Sequence, residues 1–170
     1  KLLPGMSKFL PTGYTDGVMN PEFYAMLFTM HGTIMVFFVL STAPVSGFGN
    51  LLIPLQCGAR DMAFPFLNGL SFWTFLVGCV VILVSFFVGS GAAAAGWTSY
   101  PPLSALKGAV PGSETGQTCW IIGMVFFIAC STMGGLNFAT TILNLRTKGM
   151  SMMRMPLTMW AMLLVAILGL

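Results

Sequence analysis

The sequence predicts an all-α, polytopic transmembrane helix bundle, and three observations predict it. Only 6% of its 170 residues are Asp, Glu, Lys or Arg, against about a quarter in a typical soluble domain. Hydrophobic residues make up 56% of the chain, with a mean hydropathy of +0.90. The few charges also punctuate the chain: none falls between Glu22 and Arg60, from Met62 to Leu106, or from Thr115 to Leu145. This composition excludes a disordered chain, a nucleic-acid-binding arm, a secreted disulfide scaffold and a water-soluble globule. The formal net charge of +3 is too small to imply an anionic partner.

The charge-free intervals place helices at about 22–56, 69–91 and 118–145 and the start of a fourth at 156–170. Pro44 lies within the first and Pro54 near its end, a position tolerated where neighbours satisfy the freed carbonyl. Pro65 and Asn68 are read as the break between the first two helices. Gly89 to Gly116, with Pro101-Pro102 and Pro111-Gly112, is read as a long connection covering a surface. The last run, from Pro156, reaches roughly 22 Å as a helix, against about 30 Å of hydrocarbon. Residue 1 is Lys and no signal-peptide pattern opens the chain. The expectation is one membrane domain over residues 1–170, an internal piece of a longer protein.

Orientation follows from Lys and Arg. Arg60, Arg146, Lys148 and Arg154 share one side, which nets +3 after Asp61 is subtracted. Lys1, Lys8 and Lys107 share the other, which nets 0 after Asp16, Glu22 and Glu114. The Arg-rich side is therefore expected inside and the N-terminus outside. Cys57, Cys79, Cys119 and Cys130 form no C-x-x-C pair and are read as small apolar residues. The run Met150 to Met155 is read as an adaptable apolar surface.

Few residues can carry chemistry. His31 is the only histidine, in Met30-His31-Gly32-Thr33. A neutral imidazole in a membrane helix is a ligand for iron, copper or zinc, or else a hydrogen-bonded interior residue. Spacing alone leaves both open. Asp61 in the first connection is a proton collector at the inner surface, or a loop carboxylate paired with the adjacent Arg60. Asn50 follows His31 by a helical rise of about 28 Å, so the two lie toward opposite membrane faces. Cys130, Asn137, Thr141 and Asn144 share one face of the third helix. That face either binds a neighbour, helped by close approach at Gly134 and Gly135, or lines water. Trp97 to Ser104 reads as an interfacial aromatic segment.

Taken together and in order, Met30 to Thr33, Gly49-Asn50, Asp61 to Pro65, Asn68, Trp97 to Ser104, Asn137 and Asn144 to Arg146 resemble subunit I of the haem–copper terminal oxidases. The resemblance covers about residue 21 to the end. It implies the second, third and fourth helices and the start of the fifth of a twelve-helix fold. It makes His31 an axial ligand of the low-spin haem, haem a, and puts Trp97 near a haem propionate. It makes Asp61 the mouth of a proton pathway, with Asn50, Asn68 and Asn137 holding its entrance waters and Ser131 waters further in. Cys130 stands where the family usually has a serine. The second ligand of the low-spin haem, the ligand of the high-spin haem and the copper histidines are implied outside these residues.

The implied activity is that of a cytochrome c oxidase: electrons from cytochrome c pass through haem to oxygen, which is reduced to water, with proton pumping. The implied partners are oxidase subunits II and III, cytochrome c, oxygen and the lipid bilayer, with no nucleic acid. The donor rests on two positions. Family ubiquinol oxidases bind quinone with a histidine and a glutamine upstream of the haem histidine, where this chain has Phe23 and Met26. Neither side chain holds a quinone oxygen as those residues do. Arg60 and Phe66 lean the other way, because A-R-D and F-P-F-L-N resemble bacterial ubiquinol oxidases; they also suggest a bacterial plasma membrane. The alternatives are a quinol oxidase and a non-catalytic haem-binding subunit of a respiratory complex.

Overall fold

The computed structural model describes residues 14–15, 18–88, 91–106, 108–109 and 114–170. Lys1, Lys8, Asp16 and Lys107 of the charge count lie outside the described residues. A short hairpin pairs β1 (Tyr14–Thr15) with β2 (Val18–Met19). Everything else is helix or connection. Helix α1 (Pro21–Thr33) starts where its sequence provides a start: Asn20 caps it by accepting from the Glu22 N–H at 3.3 Å, and Pro21 stands in its first turn.

The chain then continues without a break as a π-helix, Ile34–Phe48, and as α2, Gly49–Cys57. Two hydroxyls follow the wider register. Ser41 donates to the Val36 carbonyl at 2.9 Å and Thr42 to the Phe37 carbonyl at 3.1 Å, each five residues back. The helix expected over about 22–56 is present as the continuous run Pro21–Cys57, and its π-helical middle is a rare register that leaves no periodicity signal. Pro44, within it, has no N–H to give to an α-helical ladder. Gly58, at φ +70°, ends α2 in the left-handed region.

Helix α3 (Pro65–Val84), extended by a 3₁₀ turn at Ser85–Phe87, begins four residues before the expected 69 and ends short of 91. Pro65 thus opens the helix instead of separating two helices, as proline does well at a first helical position. Helix α4 (Glu114–Asn144) also begins four residues before the expected 118. Helix α5 covers Leu157–Gly169. Among the described residues, three helices are long and apolar enough to cross a membrane: Pro21–Cys57, Pro65–Phe87 and Glu114–Asn144, of 37, 23 and 31 residues.

The described chain divides into two compact units. The first comprises residues 1–35 and 81–122, the second 36–80 and 123–170. In the first, Met30, Ile82 and the run Ala92 to Ala95 are buried. Part of the long connection folds onto its own helices, since Ala92 donates its N–H to the Met26 sulfur at 3.2 Å. In the second, Ile53, Cys57, Met62, Phe138, Ile142, Met155, Met159 and Leu163 form a core. Gly49 lets the Phe138 ring close on α2, for a Cβ there would stand 2.7 Å from the ring. Of the two glycines expected to allow close approach, Gly135 faces the Ala166 carbonyl of α5, while Gly134 has open space at its Cβ position. All four cysteines are free.

Candidate functional site

In the first unit, His31 lies in α1 between Met30, which is 1% exposed, and Gly32, and its own side chain is exposed. Tyr24, Leu27, Phe28 and Met35 share its face at helical spacing and are exposed too. A lone imidazole on an otherwise apolar open face fits a flat, apolar, iron-bearing group by its donor chemistry. Among the described residues no cluster of three or more His, Cys, Asp or Glu could hold a bare metal ion. Trp97 packs directly beside this position. A Cβ at Gly32 would stand 3.0 Å from Trp97 Cδ1, so only glycine lets the indole lie so close to α1.

Threonines of α1 tie down the surroundings of that indole. Thr29 Oγ1 accepts from the Gly96 N–H at 2.9 Å, the residue before Trp97, and donates to the Ala25 carbonyl. Gly96 itself has φ +82°, a left-handed conformation that glycine adopts freely. Thr33 Oγ1, fully buried, accepts from Trp120 Nε1 at 2.9 Å. Gln117 donates to Ser99 Oγ at 2.8 Å. None of Thr29, Thr33, Gln117 or Trp120 is legible as important in the sequence. The one hint is the four-residue spacing of Thr29 and Thr33, which puts both hydroxyls on one face.

In the second unit, Asp61 is exposed in the connection between α2 and α3, and its Oδ1 accepts from the Met62 N–H at 2.7 Å. Met62 anchors the connection in the core at 3% exposure. Asn137 is fully buried and holds the backbone of one residue on both sides: its Oδ1 accepts from the Phe64 N–H at 2.9 Å and its Nδ2 donates to the Phe64 carbonyl at 3.3 Å. Thr141, one turn on, accepts from the Ala63 N–H at 2.9 Å.

A cavity of about 660 Å³ lies in the same unit. Asn50, Asn68, Cys130 and Ser131 line it, along with Ser41, Thr42, Ser46 and Ser71 and the rings of Phe37, Phe72, Phe75 and Phe127. Asn50 donates its amide to the Ser46 carbonyl at 2.7 Å, which fixes the orientation of the group. Its Oδ1 is then buried without a partner, as is Gln56 Oε1. Pro54 also has no N–H to give to the Asn50 carbonyl. A buried amide oxygen without a partner is costly; the cavity that Asn50 lines is roomy enough for several waters. Cys130 donates to the Phe127 carbonyl at 3.0 Å. The structure therefore brings together Asn50, Asn68 and Ser131. Asp61 and Asn137 do not line that cavity; Asp61 lies in the connection that leads into α3, and Asn137 bonds that connection at Phe64.

Comparison with known proteins now decides the family. The family description "Cytochrome C and Quinol oxidase polypeptide I" matches residues 4–170. The chain belongs to this family. It is 46% identical over 156 residues to the alternative cytochrome c oxidase subunit 1 of Bradyrhizobium diazoefficiens, which covers 92% of this chain and 26% of that one. It is 47% identical over 145 residues to cytochrome c oxidase subunit 1 of Synechocystis, 85% of this chain and 25% of that one. It is 43% identical over 153 residues to quinol oxidase subunit 1 of Bacillus subtilis, 90% of this chain and 23% of that one. The chain spans about a quarter of the length of these oxidase relatives. Family membership and three spanning helices together make this a multi-pass membrane protein of a respiratory oxidase family.

Proposed function

We propose that this chain is the part of a cytochrome c oxidase catalytic subunit that holds one side of the low-spin haem, haem a, and admits protons from inside. The observation that carries the reading is the cavity that Asn50, Asn68 and Ser131 line together, with the Asn50 amide oxygen buried without a partner. Such an arrangement asks for ordered water, and ordered water conducts protons. Asp61, exposed beside the inner connection, takes protons from bulk water; Asn50, Asn68 and Ser131 orient the waters that receive them. Asn137 acts on the same connection through its grip on Phe64.

The bound haem supplies one-electron chemistry. His31 gives its imidazole lone pair to the iron, and α1 holds that imidazole on an apolar face. Trp97, fixed against Gly32, closes the face beside it. The high-spin haem, copper, subunits II and III and the proton-pumping machinery belong to the rest of the complex, and the membrane is a bacterial plasma membrane.

Cytochrome c is the proposed donor. Phe23 and Met26 support it, since neither offers a quinone oxygen a hydrogen-bonding partner of the needed kind. Met26 turns its sulfur to the Ala92 N–H at 3.2 Å as part of the packing. The similarity to Bacillus subtilis quinol oxidase subunit 1 keeps quinol as the second reading. Oxygen-electrode assays of the purified complete oxidase separate them. Turnover with reduced cytochrome c and none with quinol is expected. Fast, inhibitor-sensitive quinol oxidation without cytochrome c activity reverses the choice.

A further inference from the structure

We propose that Cys57 and Met159, with Met62 and Met155 beside them, form a binding site for a soft monovalent metal ion of the cuprous class. Cys57 ends α2 and Met159 stands in the first turn of α5, and both are fully buried. The Cys57 thiol donates to the Met159 sulfur at 3.9 Å. At a metal–sulfur distance of about 2.3 Å, that separation corresponds to a sulfur–metal–sulfur angle of roughly 116°. Such an angle suits a three-coordinate ion. The core supplies further thioethers for the third position, since Met62 and Met155, 3% and 6% exposed, belong to the same cluster.

Thiolate and thioether sulfur select a soft ion such as Cu(I), whereas carboxylate and carbonyl oxygens suit hard ones. Ile53, Phe138, Ile142 and Leu163 surround the sulfurs and keep the site dry. Methionine fills cores for packing alone, but these sulfurs also lead inward from the surface. Met153 is 89% exposed, Met152 is half-buried, Met155 is 6% exposed and Met159 is fully buried. That graded series is an entry path from the connection before α5 to the thiol. Arg146 holds Met152 within it by donating to its sulfur at 2.9 Å, and the Thr147 N–H holds the Cys57 carbonyl at 3.0 Å. Binding exchanges a proton for the metal: the Cys57 S–H bond breaks, a sulfur–metal bond forms and one proton leaves to water. No electron is transferred.

The test uses the complete oxidase, with its own metal content measured first. The enzyme is incubated with Cu(I) in the absence of oxygen, desalted, and challenged with bicinchoninate as a competing Cu(I) chelator. One further copper per enzyme is expected. Cys57→Ala should retain none. Met159→Leu, close to the native side chain in volume, should hold the ion at least about tenfold less tightly, since even an outer-shell partner commonly contributes that much. Cys79→Ala, which removes a thiol outside this core, should bind as the wild type does. The haem spectrum shows whether each variant has assembled; if Cys57→Ala has not, Met159→Leu decides. No further copper in the wild type, a further copper held equally by Cys57→Ala, or wild-type affinity in Met159→Leu would each overturn the site. Loss of the further copper in Cys79→Ala would overturn it too.

Discussion

Both units hold a connection against a helix with side-chain hydroxyls and amides, yet the residue of interest stands differently in each. In the first, Thr29 and Thr33 take the Gly96 N–H and the Trp120 indole N–H. The Thr29 bond fixes the segment that carries Trp97 and the Thr33 bond ties α1 to α4, while His31 stands on an exposed face. In the second, Asn137 and Thr141 fix the very backbone that carries Asp61. On the proposed reading, the difference follows from the chemistry each residue would do. A ligand must offer a lone pair to something the chain does not itself contain, so its helix is fixed and its ring is left available. A carboxylate that collects protons meets water at the surface, and what has to be fixed is its place.

The largest effect expected is at His31. His31→Ala in the complete oxidase should abolish the low-spin haem signal, because a methyl group cannot replace the axial bond. An unchanged optical spectrum at full haem content breaks the first half of the comparison. Asn50→Leu should come next. It removes the unpartnered oxygen and makes that wall of the cavity apolar, so turnover should fall by about tenfold, less than the roughly 10²–10⁴-fold that a proton-transfer group itself contributes. Turnover within a factor of two of wild type would show that the cavity is dry.

Smaller effects sharpen the role of the threonine scaffold. Gly32→Val forces a side chain into the space of Trp97, a Cβ there already standing 3.0–3.2 Å from the indole. Overpacking of this kind costs about 1–3 kcal/mol, so thermal denaturation should shift down by several degrees. Trp120→Phe removes only the indole N–H donated to Thr33. A loss of about 1 kcal/mol is expected, with no change in the haem spectrum; a spectral shift would mean that Trp120 does more than hold α1.

The helices were legible because charge is so scarce that each charged or proline-rich interruption marks a connection. Their detail was less so. The π-helix at Ile34–Phe48 has the same apolar composition as an α-helix, and composition says nothing about register. Pro65 reads equally well as a break or as a first turn, and its neighbours in space decided for the first turn. For the site, residue type named His31 and Asp61 and the resemblance supplied their roles. The shared polar face of Cys130, Asn137, Thr141 and Asn144 was visible as spacing, but not what it touches. Asn137 and Thr141 grip a backbone 73 and 78 residues away in sequence. Thr29 takes a donor 67 residues away and Thr33 one 87 residues away. Such long-range bonds leave no local pattern.

The central claim is that protons enter at Asp61 while His31 serves the haem, and Asp61→Asn tests it most directly. Asparagine keeps the shape and the acceptor for the Met62 N–H, but loses the titratable proton and the charge. With the complete oxidase in vesicles, oxygen consumption, external acidification and the haem spectrum are followed on one preparation. Turnover should fall by an order of magnitude or more and acidification should cease, with the low-spin haem spectrum identical to wild type. Wild-type turnover with normal acidification would contradict the account and leave Asp61 as a residue of the connection alone.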